Sequence, residues 1–194
     1  MGKTTKIERK TKETDIKLEF CLYGSGKSEI STGIGFFDHM LTLFTAHGGF
    51  DMTLKSKGDL EVDFHHTVED TGIVLGSAVK ELLGNKAGIK RYGTFFVPMD
   101  ESLAYVSLDI SGRPYLKCDV PVNCKKAGEF DGDVFKEFLR AFAFNSGITL
   151  HVKLVYGENN HHIIEACFKA LARALKEAVT LTGSDEIPST KGIL

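Results

Sequence analysis

The chain contains no run of about 18 apolar residues, the length that a membrane-spanning helix needs. Its N-terminus, with Lys3, Lys6, Arg9, Lys10 and Lys12, lacks the apolar segment of a secretory signal. A cytoplasmic protein with no membrane partner is expected. N-myristoylation is not expected either, because after Met1-Gly2 the motif needs Ser or Thr where Lys6 stands. Cysteine is sparse, and Cys21, Cys118, Cys124 and Cys167 form no Cys-x-x-Cys pair, so they read as reduced thiols rather than a disulfide framework. An excess of one charge is also missing. With 24 Lys+Arg against 26 Asp+Glu, no broad field favours nucleic acid or an anionic membrane.

Apolar material for a core is present, at 42% hydrophobic residues in 194. At this length about 70% of the unfolded chain's surface can be buried without staples or a partner. One large domain or two small ones would satisfy that.

The chain repeats itself. His65-His66-Thr67-Val68-Glu69 recurs as His161-His162-Ile163-Ile164-Glu165. A helical run of apolar residues follows each copy: Ile73, Val74, Val79, Leu82 and Leu83 in one, Phe168, Leu171, Ala172 and Leu175 in the other. Upstream, Phe37-Asp38-His39-Met40-Leu41-Thr42-Leu43-Phe44 lies over Phe135-Lys136-Glu137-Phe138-Leu139-Arg140-Ala141-Phe142 without a gap, with Gly49 over Gly147 and Lys55 over Lys153. A pentapeptide alone could match by chance. An ungapped helix and strand ahead of it indicate duplication.

Alternation predicts strands over 14–23 and 28–34, with Gly24-Ser25-Gly26 as a hairpin turn between them. Helical spacing predicts a helix over 37–47 ending at Gly48-Gly49, then strands over 50–56 and 60–63 and a helix over 66–83 stopping at Gly84-Asn85. In the second half strands are predicted near 93–98, 102–110 and 114–120, a helix over 133–145, a strand over 148–155 and a helix over 160–179. Pro98, Pro114 and Pro121 suit strand edges or ends. On the last helix Arg173 is expected to pair with Glu177. The expected fold is α+β, with two duplicated β-β-α-β-α halves, about 10–90 and 91–180, and helices packed between two sheets. Residues 1–194 would form one compact domain.

On a helix, residues i and i+4 share a face. Glu69 and one of His65 and His66 can therefore address one point, while the adjacent histidine, about 100° away, must address another. Two centres are implied, and His161, His162 and Glu165 repeat the geometry. Imidazole with carboxylate and no thiolate suits manganese or iron best. His39 and its counterpart Glu137 are both metal-capable, which completes eight ligand candidates: His39, His65, His66, Glu69, Glu137, His161, His162 and Glu165. Two ions with four protein ligands each would keep room for water or substrate. A single His-His pair at a helix start would be more simply a capping or surface pair; the second copy, with Glu at the same offset, favours metal. His47 and His151 gain nothing from the repeat, since their counterparts are Asn145 and Thr53. His47 is a candidate substrate contact, and His151 is as much a strand histidine as a functional one.

These residues resemble a known family. Gly35-Phe36-Phe37-Asp38-His39-Met40-Leu41, both His-His segments, Asp109-Ile110-Ser111-Gly112-Arg113-Pro114 and Pro188-Ser189-Thr190-Lys191-Gly192 are similar to imidazoleglycerol-phosphate dehydratase of histidine biosynthesis, from about Arg9 to the C-terminus. The resemblance implies two manganese ions per subunit and a 24-subunit homo-oligomer with active sites built at subunit contacts. It departs at Glu137, where family members often carry histidine; glutamate can bind manganese and stays in the ligand set. It further implies Glu13 as the acid/base and substrate residue, and Arg91, Arg113, Ser189 and Lys191 as the holders of the substrate phosphate, the last two on a C-terminal substrate loop.

The implied chemistry gives the ligands a purpose. Imidazole glycerol phosphate must lose water across two side-chain carbons beside the ring, and the departing hydrogen is not next to a carbonyl. A ring held as an imidazolate between two cations could expel the adjacent hydroxyl through a diazafulvene-like species. Two cations on opposite edges of one small ring is a reason for duplicated half-sites. The alternatives are a dinuclear metallohydrolase and a metal-storage or sensing protein; anion-binding loops argue against storage.

Overall fold

The computed structural model describes residues 3–121 and 130–194; Cys124 lies outside them. In chain order the elements are β1 (Thr4–Lys10), β2 (Thr14–Cys21), β3 (Ser28–Ser31), α1 (Gly35–Gly48), β4 (Asp51–Gly58) and α2 (His65–Leu83). The second half contributes β5 (Tyr92–Met99), β6 (Ser102–Asp109), β7 (Tyr115–Asp119), α3 (Gly132–Ser146), β8 (Thr149–Tyr156) and α4 (Asn160–Ala178).

The two halves build the same sheet twice, in the orders β1-β2-β4-β3 and β5-β6-β8-β7. Register agrees as well as order: Thr4–Cys21 and Lys10–Asp15 in the first sheet recur as Tyr92–Asp109 and Pro98–Leu103 in the second. Each half thus contains the β-β-α-β-α plan, led by one further antiparallel edge strand. β5 matches the strand expected near 93–98. β1 was not legible, because it buries only Thr5 among charged neighbours and shows almost no apolar alternation.

Two expectations need correction. Gly24-Ser25-Gly26 does not turn a hairpin: β4 lies between β2 and β3, and β3 pairs with β4 in parallel. The loop is held by Asp51, whose Oδ1 accepts the Ser25 and Lys27 N–H groups at 2.8 and 3.0 Å. The short glycine loop looks the same locally either way; what decides is α1, which provides the crossover a parallel pair requires. Residues 60–63 form a turn rather than a strand, with Val62 N–H donating to Asp59 O at 2.9 Å and the Val62 side chain 65% exposed.

The four helices fill the space between the sheets, α2 along α3 and α1 against α4. Phe37, Phe44, Phe135, Phe138 and Phe142 are fully buried there. The α2–α3 approach depends on absent side chains: a Cβ on Gly72 would stand 2.8 Å from Phe138 O, and one on Gly76 2.6 Å from Phe142 O. Both helices carry candidate ligands at their N-terminal ends.

Candidate metal centre and substrate site

The His-His pairs sit in the first turns of α2 and α4, and a short polar side chain meets the first backbone N–H groups at each start. Asp63 Oδ1 accepts His65 N–H at 2.7 Å, and Asn159 Oδ1 accepts the N–H groups of His161 and His162 at 2.9 and 3.4 Å. From that start the i, i+4 geometry follows. His65 Nε2 lies 3.3 Å from Glu69 Oε2, and His161 Nε2 lies 3.2 Å from Glu165 Oε2. Within each pair the rings turn 82° apart, with centroids separated by 6.2 Å. Adjacent histidines therefore address different places, as their spacing requires.

His39, near the start of α1, reaches across to the second half, its Nε2 3.3 Å from Glu165 Oε2. One donor atom from each of His39, His161 and Glu165 lies within 4.8 Å of the others, and the Phe36 ring meets His161 edge-on at 5.0 Å. Two imidazoles and a carboxylate in this arrangement suit a divalent cation of the manganese or iron kind. Burial works against charge on Glu165. The Lys169 ammonium, 2.6 Å from Oε1, together with His39 and His161, outweighs it and holds the carboxyl below its usual range.

The pseudo-equivalent group in the other half is His65, Glu69 and Glu137, and it is closed differently. Arg140 donates from Nε to Glu137 Oε2 at 2.8 Å and reaches Glu69 Oε1 at 3.5 Å. Its guanidinium thus joins the two carboxylates of that group. His66 and His162 point away from both groups. His66 Nδ1 is 3.0 Å from Asp59 Oδ2 and 3.9 Å from Glu13 Oε2, while His162 Nδ1 is 2.6 Å from Glu101 Oε2. Hydrogen bonding to Asp59 and to Glu101 pushes the two imidazoles above the ordinary histidine pKa.

The remaining candidates gather elsewhere. Arg91 grips Asp109 with Nε and Nη2 at 2.7 and 3.1 Å, and its Nη1 donates to Pro188 O at 2.8 Å. It thereby ties the C-terminal segment, with Ser189 and Lys191, to β6. Arg113 lies 3.9 Å from the same aspartate and is 69% exposed at its side chain. His47, on α1, has its pKa lowered by burial and by the charges of Lys169 and Arg173. His151, exposed on β8, faces the Tyr115 ring at 6.0 Å and joins neither histidine cluster. The expected Arg173–Glu177 pair is replaced: the Arg173 guanidinium lies over the Phe95 ring, and Glu177 accepts Thr94 N–H at 3.2 Å and stands 4.0 Å from Lys90. Lys169, Asp59, Glu101 and Arg140 were not singled out from the sequence. Lys169, four residues after Glu165, and Arg140, three after Glu137, carried a local signal.

The family model for imidazoleglycerol-phosphate dehydratase matches residues 32–175. The chain belongs to the imidazoleglycerol-phosphate dehydratase family. An imidazoleglycerol-phosphate dehydratase from Clostridium botulinum strain Langeland is 62% identical over 97% of each chain, and one from Acetivibrio thermocellus is 58% identical over the whole of both. The crystal structure of imidazoleglycerol-phosphate dehydratase from Staphylococcus aureus superposes with a TM-score of 0.84 at 42% identity, covering 93% of this chain and all of that one. The enzyme from Pyrococcus furiosus gives the same TM-score at 41% identity, covering 97% of this chain and all of that one. Members of this dehydratase family are hydro-lyases, and this chain is one, which removes the hydrolase and storage readings. No helix among the described residues is long and apolar enough to cross a membrane.

Proposed function

We propose that the enzyme dehydrates D-erythro-imidazole glycerol phosphate to imidazole acetol phosphate, using two Mn2+ ions per subunit held by His39, His65, His66, Glu69, Glu137, His161, His162 and Glu165. The observation that carries the metal role is the convergence of His39, His161 and Glu165 within 4.8 Å. Two divalent cations supply Lewis-acid stabilisation of negative charge on the substrate ring. The protein's own groups do the rest. Glu13 moves the proton at the side-chain carbon, His47 contacts the substrate, and Arg113, Ser189 and Lys191 hold the phosphate through charge-assisted hydrogen bonds. Arg91, with its guanidinium engaged by Asp109 and Pro188, keeps the Ser189–Lys191 loop at the anion.

Sharing of sites between copies of a homo-oligomer, 24 subunits by resemblance, draws support from the outward histidines. His66 and His162 turn away from the ligands of their own chain and are available to a neighbour. The assay is direct: metal-free and Mn2+-loaded enzyme are incubated with imidazole glycerol phosphate and the ketone product is followed. Product is expected only with metal, and Glu13→Gln is expected to lose about 10²–10⁴-fold in kcat with metal content kept. No product from loaded enzyme, an undiminished rate in Glu165→Gln, or elemental analysis well below two ions per chain would overturn this reading.

A further inference from the structure

The two halves anchor their outward histidines by different routes. Register makes Glu101 the counterpart of Glu13: each closes the connection between the first two antiparallel strands of its half, just before Thr14 or Ser102. Their partners differ. Glu101 Oε2 is 2.6 Å from His162 Nδ1, whereas Glu13 Oε2 stays 3.9 Å from His66 Nδ1. That nitrogen is taken instead by Asp59, at 3.0 and 3.2 Å from its two oxygens, from the β4–α2 connection.

Gly157 explains why the second half cannot use the same device. It follows β8 as Asp59 follows β4, and a Cβ there would stand 2.4 Å from Ser102 Oγ and 3.0 Å from Ile163 Cγ1. No acid fits that position. Glu101 is held instead: its Oε1 accepts from Ser102 Oγ at 2.8 Å, Asn159 N–H at 2.9 Å and Glu158 N–H at 3.3 Å, fastening the β5–β6 turn to the start of α4. Only Oε2 faces the imidazole.

An imidazole whose Nδ1–H is accepted by a carboxylate keeps its lone pair on Nε2, the form that a cation requires. We propose that Glu101 and Asp59 are positioning residues that accept the Nδ1–H of His162 and His66 and present each Nε2 to a divalent cation. With Asp59 in that post, Glu13 is released to act on substrate, so one ancestral turn position has acquired two tasks. Asp100 Oδ2, 3.8 Å from His162 Nε2, adds negative charge on the side where the cation would stand. The inference rests on the metal role argued above and goes beyond it in naming what orients two of the ligands.

The test is a Mn2+ titration of the full-length enzyme, read as free ion by electron paramagnetic resonance, for wild type, Glu101→Ala, Asp59→Ala and Glu13→Gln. Glu101→Ala and Asp59→Ala are each expected to weaken binding of one ion about 10–100-fold, the usual cost of losing such a partner. Glu101→Gln, which keeps an acceptor oxygen, is expected to recover part of the loss. Glu13→Gln is expected to titrate as wild type. The two acids lie on different loops, so a folding defect in one variant, visible in the unfolding of metal-free protein, leaves the other decisive. Wild-type affinity in Asp59→Ala and in folded Glu101→Ala would overturn this inference alone. A wild-type enzyme that binds no Mn2+ would overturn the metal role with it.

Discussion

Asp51 shows how one carboxylate sets a loop that the sequence makes ambiguous. Its Oδ1 takes the N–H groups of Ser25 and Lys27, and these backbone bonds, more than the nearby Lys27 charge, hold its carboxyl below the ordinary aspartate value. A depressed folded pKa means that the stabilisation is present above the unfolded value of about 4 and is lost as pH falls through the lower folded one. Asp51→Ala is therefore expected to cost about 1 kcal/mol at neutral pH, with the gap from wild type closing in acid. Urea unfolding at a series of pH values measures it, and a gap that is constant or widens in acid would contradict it. At the same scale, the divergence of His65 from His66 could be read from spacing, because neighbours on a helix must differ by about 100°. The acids that hold them could not, because Asp59 and Glu101 come from loops whose positions depend on the whole half.

At the scale of elements, helices were legible and some strands were not. α1 and α3 announce themselves by apolar spacing and by Gly49 and Gly147, both left-handed caps with φ of 67° and 71°. β1 and the parallel placement of β3 depend on neighbours, which local alternation does not contain. The α2–α3 contact is a further case. Alanine at Gly76 would favour a helix by about 1 kcal/mol, but its Cβ would stand 2.6 Å from Phe142 O and 3.0 Å from Ser146 N, both backbone atoms. Overpacking wins, and Gly76→Ala is expected to lower stability by about 1–3 kcal/mol. A thermal melt that is unchanged or raised would mean that α3 can yield at this crossing.

At the scale of the whole molecule, the outer faces of the two sheets differ. The first bears ion pairs such as Lys6–Glu19 and Lys10–Asp15. On the second, Tyr92, Phe96 and Tyr115 are exposed, and Phe96 packs on Tyr105 with ring centroids 4.8 Å apart. A second copy of this chain is the occupant that the proposed assembly provides for such a face. Phe96→Glu is expected to reduce the particle mass seen by light scattering and, if sites are shared, to reduce Mn2+ retention with it. An unchanged mass would exclude this face from the contact.

The sequence by itself determined the duplicated frame, the helices that carry the ligands and the need for two directions within each His-His pair, since periodicity and i, i+4 geometry are properties of short segments. Tertiary structure alone decided that His39 meets Glu165 across the two halves, that Arg140 reaches Glu69 on the neighbouring helix, and which acid anchors each outward imidazole. Those outcomes depend on how distant segments pack and on whether a loop has room for one more carbon, and no local pattern encodes either.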